Sequence, residues 1–383
     1  MIDVVSAVRW LVAGVLSVHG VIHLLGATKG FGWAEIAQLK QPAGPGEGVL
    51  WLCAAMFVLA TAVMVAAAAP PWWWIVAAVA AIVSQIAIIT SWGDAKAGTA
   101  GTVVLVLVAA YGFLAEGPVS FHAQWRDQAT RAVCDQEHGP PMLTDADLAS
   151  LPGPVATYVR NSGAVGQPRV VNFHADIRGT IRNGPDSAWM PFTGRQLNTT
   201  GPRPQRLFLI DAARGGLPVT VLHSYADSTA SMRAKLLSLI SVLDAAGPEM
   251  DRGETVTLFN DLVMLAPGAV VGAPIEWTEL DPNRVRGVFT TGDQSVTAEL
   301  IFDDSGNLVD FLSPDRSRAS DDGQSFTRQP WSTPLRNHRD FHGVRLPESG
   351  EARWLDPDTQ EWFTYIELEF TDVAYNVRES DIG

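Results

Sequence analysis

Four stretches of the chain are apolar with little interruption: roughly Val4 to Leu25, Val49 to Ala69, Trp72 to Thr90 and Thr99 to Leu114. Each approaches the roughly 20 residues that a helix needs to cross a hydrocarbon layer about 30 Å thick, so the pattern predicts four transmembrane helices. The first is too long for the core of a secretory signal, lacks a basic cluster at its start, and is followed by three more. Pro70 and Pro71 make a very short turn between the second and third stretches. They adjoin Trp72, Trp73 and Trp74, whose indole rings suit the depth of lipid headgroups. Short loops make antiparallel neighbours, so an up-down-up-down four-helix bundle is expected over residues 1–117.

The pattern changes at Pro118. Residues 118–143, with Arg126, Asp127, Arg131 and Glu137, read as a helical connector leaving the membrane. Thr144 with Asp147 three residues on is a capping-type helix start, and a short helix is expected around Val155 to Asn161 with a stop at Gly163. Beyond Gln167 the period shifts towards two. VVNFHADIRGTI, QRLFLIDA, LPVTVLHSY, NRVRGVFTT, SVTAELIFDD, NLVDFLS and EWFTYIELEF are strand-like runs separated by turn residues, and DDSGN signals a hairpin. Two helical inserts are expected. SMRAKLLSLISVL (231–243) puts Met232, Leu236, Leu239 and Leu243 on one helical face, and ETVTLFNDLVML (254–265) makes the second. Residues 144–383 therefore predict an α+β domain, an antiparallel curved sheet with packed helices.

Charge separates the two parts further. Of the net charge of −14, all but one unit lies beyond residue 120. A part so acidic repels phosphate backbones, which argues against nucleic acid as a partner. Cys53 and Cys134 are the only cysteines and no CxxC pair occurs, which excludes a disulfide framework and a thiolate metal site. No HExxH, GxSxG or P-loop motif is present, and the HRD of HRDFHG (338–343) lacks the other kinase motifs. The reading therefore leans away from an enzyme, and no cofactor is identified. Only four of the 27 basic residues are lysine, a composition typical of a bacterial chain from a GC-rich genome.

Within the apolar part, His19 and His23 lie one turn apart on one helix face. The alternation of span directions places Gln85, Trp92 and Asp94 in the same leaflet, with Glu47 and Trp51 near by. Ionisable groups inside a membrane are costly and count as candidate functional groups. Three readings follow: polar bonding across the bundle to Ser84 or Gln85; a metal held by His19 and His23 with Asp94 or Glu47; or a headgroup or quinone pocket. In the sheet part Trp189, Phe192, Arg195, Trp331, Trp354, Trp362 and Tyr365 recur at strand positions. They would either fill the core or line a sheet that holds an apolar ligand with a polar head, Trp189, Arg195, Trp331 and Tyr365 being the named contacts. Glu254, Asp315 and Arg316 read as solvated ion pairs. The domain is expected on the same side as the N-terminus of a multi-pass cell-membrane protein. Arg9, Arg126 and Arg131 on that side balance Lys29, Lys40 and Lys96 on the other, and because Arg9 falls within a span the count tilts towards an extracytoplasmic domain.

The runs SVHGVIHLLG, SQIAIITSWGDAKAGT, LPGPVATYVRNSGAVGQPR, PFTGRQ, DDSGNLVDFLSPDRSR, PWSTP and AYNV together resemble an uncharacterised bacterial family of four-span membrane proteins with a C-terminal domain of unknown function. The resemblance extends from about Arg9 to Val377 and implies architecture rather than a reaction. More loosely, the helix-clasped antiparallel sheet resembles the lipoprotein-carrier type of half-barrel, which implies binding of acyl chains. The leading expectation is a membrane protein, partnered by the lipid bilayer, whose C-terminal domain binds a lipid or another apolar small molecule. The alternatives are a membrane enzyme using a metal or quinone at the His/Asp cluster, and a partner-binding scaffold.

Overall fold

The computed structural model describes residues 4–37, 39–67, 70–136, 139–320 and 325–382. The last two residues of the second apolar stretch, and Glu137 and His138 of the connector, lie outside the described residues. The chain forms two units. One holds the residues up to 124 together with Arg214–Pro218 and Leu236–Ile240, and the other holds the remainder.

The helical unit contains α1 (Val4–Gly30), α2 (Pro45–Ala66), α3 (Trp73–Thr90), the single turn α4 (Trp92–Ala95) and α5 (Thr99–Glu116). Four helical stretches are long and apolar enough to cross a membrane, as the hydropathy pattern predicts. Their outward side chains are large and apolar, with Leu11, Val63 and Leu107 about two-thirds exposed, while Leu16, Val58, Ala62, Ala80 and Leu105 fill the interior. An apolar exterior over a small-residue interior is the packing that lipid favours. Gly30 and Gly48 show why small residues matter: a Cβ on Gly30 would lie 2.4 Å from the Cα of Gly48, so α1 and α2 meet backbone to backbone.

The sheet unit is entered along α6 (Phe121–Cys134), followed by α7 (Gly153–Asn161). Thr144 does cap a turn, its N–H donating to Asp147 at 2.8 Å, and Gly163 ends α7 with φ 77°. A first meander comprises β1 (Asn172–Ile181), β2 (Met190–Thr199), β3 (Arg206–Arg214), β4 (Leu217–Ala226), β5 (Thr229–Leu236) and β6 (Ile240–Ala246). After α8 (Pro248–Leu265) come β7 (Ile275–Asp281), β8 (Arg284–Thr291), β9 (Gln294–Phe302) and β10 (Leu308–Ser313). They are followed by β11 (Ser317–Ala319), β12 (Phe326–Arg328), β13 (Trp331–Ser332), β14 (Leu335–Phe341), β15 (Val344–Leu355) and β16 (Trp362–Tyr375). Fourteen strands make one curved antiparallel sheet running from β6 at one edge through β1 and β16 to β7 at the other, with β11 and β12 paired separately. The first and last strands meet in its middle, from Phe173 beside Tyr375 to Ile181 beside Ile366.

α8 connects the two sheet edges and is buried nearly all round, so the sheet curves about it. Phe259 has no exposed surface and packs 5.3 Å, centroid to centroid, from both Phe289 and Phe311. Hydrogen bonds reach α8 from several elements: Tyr158 donates to the Val263 carbonyl at 2.8 Å, Tyr225 pairs with Thr255 at 3.0 Å, and Thr333 donates to Asn260 at 2.7 Å.

One expected element is corrected. Residues 231–243 form not a helix but the β5–β6 hairpin. Leu237 and Ser238 adopt φ of 55° and 56°, and the Leu239 N–H closes the turn onto the Leu236 carbonyl at 3.1 Å. The leucine spacing that mimics a helical face arises because two strands flank an apolar turn, and β6, an edge strand with little burial, shows no alternation.

Candidate functional site

In the helical unit the spacing of His19 and His23 brings both imidazoles onto one residue of α3. Ser84 Oγ lies 3.2 Å from His19 Nε2, 2.9 Å from His23 Nε2 and 3.0 Å from Thr102 Oγ1 of α5. His23 Nδ1 is 3.0 Å from the His19 carbonyl, which can only accept, so Nδ1 carries the proton and Nε2 accepts from Ser84. Ser84 has then spent its single hydrogen, and His19 Nε2–H must donate to it. The tautomers of both rings follow from this chain of bonds. Trp51 of α2 closes the group, its ring 5.1 Å from that of His23. α5 approaches so closely that a Cβ on Gly101 would lie 2.4 Å from His19 Nδ1.

The other polar candidates of the helical unit are engaged elsewhere. Asp94 accepts the backbone N–H of Gln41 at 2.7 Å, Gln85 donates to Thr99 at 3.4 Å, and Trp92 is half exposed. Among the described residues, no group of three or more His, Cys, Asp and Glu side chains is placed to share a metal ion.

In the sheet unit the inner face holds a charged cluster that alternation along the strands did not reveal. Arg206 of β3 donates from Nε to Asp261 at 2.6 Å and from Nη1 to Glu254 at 3.3 Å, and Arg316 donates to the other Glu254 oxygen at 3.1 Å. Gln196 and Asn198 of β2 complete the shell of Asp261 at 2.8 and 3.2 Å. Glu254 and Asp261 lie seven residues apart on α8, two turns along one face, which is the signal in the sequence that could have found them. Glu254 is 1% exposed, which corrects the expectation of solvated ion pairs at Glu254 and Arg316. Burial alone would raise its carboxyl, but His223, Arg206 and Arg316 outweigh burial and hold it below the usual value. Burial raises the Asp261 carboxyl against the pull of Arg206. His223 is driven down to about 4 by burial, so it is neutral at pH 7. Its Nε2 sits 3.2 Å from Glu254 Oε2 but is misaligned for a hydrogen bond.

Arg316 also begins an aromatic track. Its guanidinium lies 4.5 Å from the Trp331 ring and 5.7 Å from that of Trp354. Trp331 and Trp354 are cross-strand neighbours, as are Trp354 and Phe363, so they share one face with Tyr365, to which Trp331 Nε1 donates at 3.1 Å. Further along, Arg318 lies 5.3 Å over Phe363, and Arg182 lies 4.7 Å over Phe363 and 4.4 Å over Trp189. The structure thus joins Trp189, Trp331 and Tyr365 through Trp354, Phe363 and three arginines. Arg195 does not join them. Gln196 beside it faces α8, so by strand parity Arg195 points to the outer face. There it lies 5.2 Å from Trp125 of α6 and lines a cleft of about 330 Å³ with Asp176, Arg178, Asp211 and Thr371.

Comparison with known proteins places these features in context. No curated protein matches the chain in sequence. Among solved structures it is similar to a putative outer membrane lipoprotein-sorting protein domain from Vibrio parahaemolyticus. The two are 12% identical, with 55% of this chain and 89% of that one covered and a TM-score of 0.34. It is also similar to a DUF1329 family protein from Desulfovibrio piger, at 10% identity, 58% and 94% coverage and a TM-score of 0.33. Residues 141–368, more than half of the chain, match the family of unknown function DUF6544, and the protein belongs to that family.

Proposed function

We propose that the sheet domain binds an amphiphile, an apolar tail with an anionic head, along its arginine–aromatic track, while four membrane-spanning helices hold the domain at a bilayer. The observation that carries this reading is the stacking of Arg182 and Arg318 on the partly exposed Trp189 and Phe363, continued inward by Arg316 over the buried Trp331 and Trp354. A guanidinium laid over a ring offers its edge to carboxylate or phosphate while the ring offers its surface to a hydrocarbon. Among the described residues the Arg182 guanidinium gives hydrogen bonds to the backbone carbonyls of Thr364 and Pro185, at 2.9 and 2.8 Å, which fix it over the two rings. Depth along the track is limited by α8, whose ionic bonds to Arg206 and Arg316 close the inner end.

Photocrosslinking tests the proposal. The full chain, reconstituted in lipid and exposed to a diazirine-bearing fatty acid, is expected to carry label on peptides around 182–189 and 354–365. An Arg182→Gln, Arg318→Gln variant should lose most of that label while labelling of α1–α5 stays unchanged. Label confined to α1–α5 in the wild-type chain would refute it.

A further inference from the structure

We infer that the β5–β6 tip, with the β3–β4 tip beside it, dips into the bilayer from the end of the sheet that also carries the β1–β2 and β15–β16 connections, whose Asp186, Asp356, Asp358 and Glu361 stay in water. The antiparallel order puts these four connections at one end, and the β2–β3 and β4–β5 turns at the other. The two ends differ in chemistry. At the far end the β4–β5 turn is Asp227–Ser228, with φ of 49° and 59°. The β5–β6 tip repeats that left-handed pair with Leu237–Ser238. A leucine there costs on the order of 1–2 kcal/mol against an unstrained backbone, which Asn or Gly would largely avoid. Making the turn does not need the leucine, so its selection points to what the tip touches. Around it Leu217, Leu239, Ile240 and Val242 are 43%, 65%, 51% and 53% exposed. The Leu237 N–H donates to the Pro218 carbonyl at 2.8 Å, so the tips of two hairpins present one apolar surface.

Two arguments identify the occupant as lipid. Only eight residues, 117–124, separate the end of α5 from Trp125 in the sheet unit, a reach of at most about 30 Å, so the domain cannot leave the neighbourhood of a bilayer that α5 crosses. Trp189 and Trp362 are about a third exposed at this end, as aromatic residues at an interface are, and Arg214 and Lys235 flank the tips. Lys235 is the one lysine beyond Lys96 in a part that is otherwise acidic. The arginine–aromatic track reaches this same end at Trp189. The inference rests on the membrane-spanning reading of the helices given above.

Nitroxide accessibility tests it in the full chain, made free of native thiols by Cys53→Ala and Cys134→Ala and reconstituted in phosphatidylcholine–phosphatidylglycerol liposomes. Single labels are placed through Leu239→Cys at the tip, Asp227→Cys at the opposite end and Val63→Cys on the exposed side of α2. Collision with oxygen is expected to exceed collision with a nickel chelate severalfold at Leu239→Cys and Val63→Cys, with the reverse at Asp227→Cys. If Val63→Cys behaves so and Leu239→Cys meets the nickel chelate freely, the tip is in water and the inference falls alone. If Leu239→Cys is shielded from both reagents, a protein contact covers it and the inference falls likewise. If Val63→Cys is itself water-accessible, the spanning reading falls and takes this inference with it.

Discussion

His223 gives the fold a measurable acid sensitivity. It lies on β4 beside Glu254, 8% exposed, and burial lowers its pKa from 6.5 to about 4 despite the neighbouring carboxylate. The folded chain therefore binds this proton less readily than the unfolded chain. Its contribution to stability is fully present above pH 6.5, declines as pH falls, and is lost by about pH 4. At 1.36 kcal/mol per pH unit, the drop amounts to about 3 kcal/mol. For a domain of this size that corresponds to about 6–12 °C in melting temperature. The perturbation is His223→Gln, which keeps a polar side chain but cannot titrate. The assay is thermal unfolding of the full chain in detergent micelles, followed by tryptophan fluorescence between pH 4 and 7.5. Wild type is expected to lose about 6–12 °C more than the variant across the window from 6.5 to 4. Equal losses in the two proteins, or a His223 imidazole titrating near 6.5 by NMR, would show that burial does not hold it neutral and refute the reasoning.

Further outcomes follow from the same structure. Arg206→Leu leaves Asp261 buried without its cation and Glu254 with Arg316 alone, and should cost about 3–5 kcal/mol; adding Asp261→Leu should restore a substantial part, and full additivity in a double-mutant cycle would contradict a coupled pair. Phe259→Ala opens a void at the centre of α8 and should cost about 3–5 kcal/mol in denaturant titration, with a loss under 1 kcal/mol excluding the packing described. Gly101→Ala forces α5 off His19 and should destabilise the helical unit by about 1–3 kcal/mol in detergent, an unchanged melting temperature counting against that contact. Leu237→Asn with Ser238→Gly relieves the turn and should stabilise the sheet by about 1 kcal/mol or more, a destabilised variant contradicting the strain argument.

How much of this could be read in the chain depended on whether a residue's environment was set locally. The four apolar helices were legible because a long uninterrupted apolar run is a local property of the sequence, and the strands flanking DDSGN because a hairpin is a local event. The 231–243 segment was not: leucines at helical spacing mark a helix only if they are buried on one side, and these flank a turn at an edge. The histidine pair was visible by spacing, and span direction already offered Ser84 or Gln85 as its partner more than 60 residues away; the packing of α3 selects Ser84. The tryptophan and tyrosine positions were recognised by type, whereas the arginines that interleave them, Arg182 and Arg318, lie in segments that pattern reading passes over. Arg195 was grouped with the aromatic contacts and proves to face the other way, because its parity becomes known only from the bond between Gln196 and Asp261. Glu254 and Arg316 looked solvated since a charge's partners at separations of 48 and 62 residues leave no local trace.

The pairing of β1 with β16 bears on the order of events during synthesis. The partner of the first strand, residues 172–181, emerges from the ribosome only some 190 residues later, after every other element of the sheet has been made. All four apolar helices precede β1, so they are translated well before the sheet can be completed. Contacts of such long separation form slowly. In the interval β1 presents an unpaired edge, a template for wrong association that isolated chains in solution would readily share. If the helices hold the chain at a bilayer, as proposed above, it meets few copies of itself, and the apolar segment that precedes the sheet then acts as a restraint on aggregation during its slowest step.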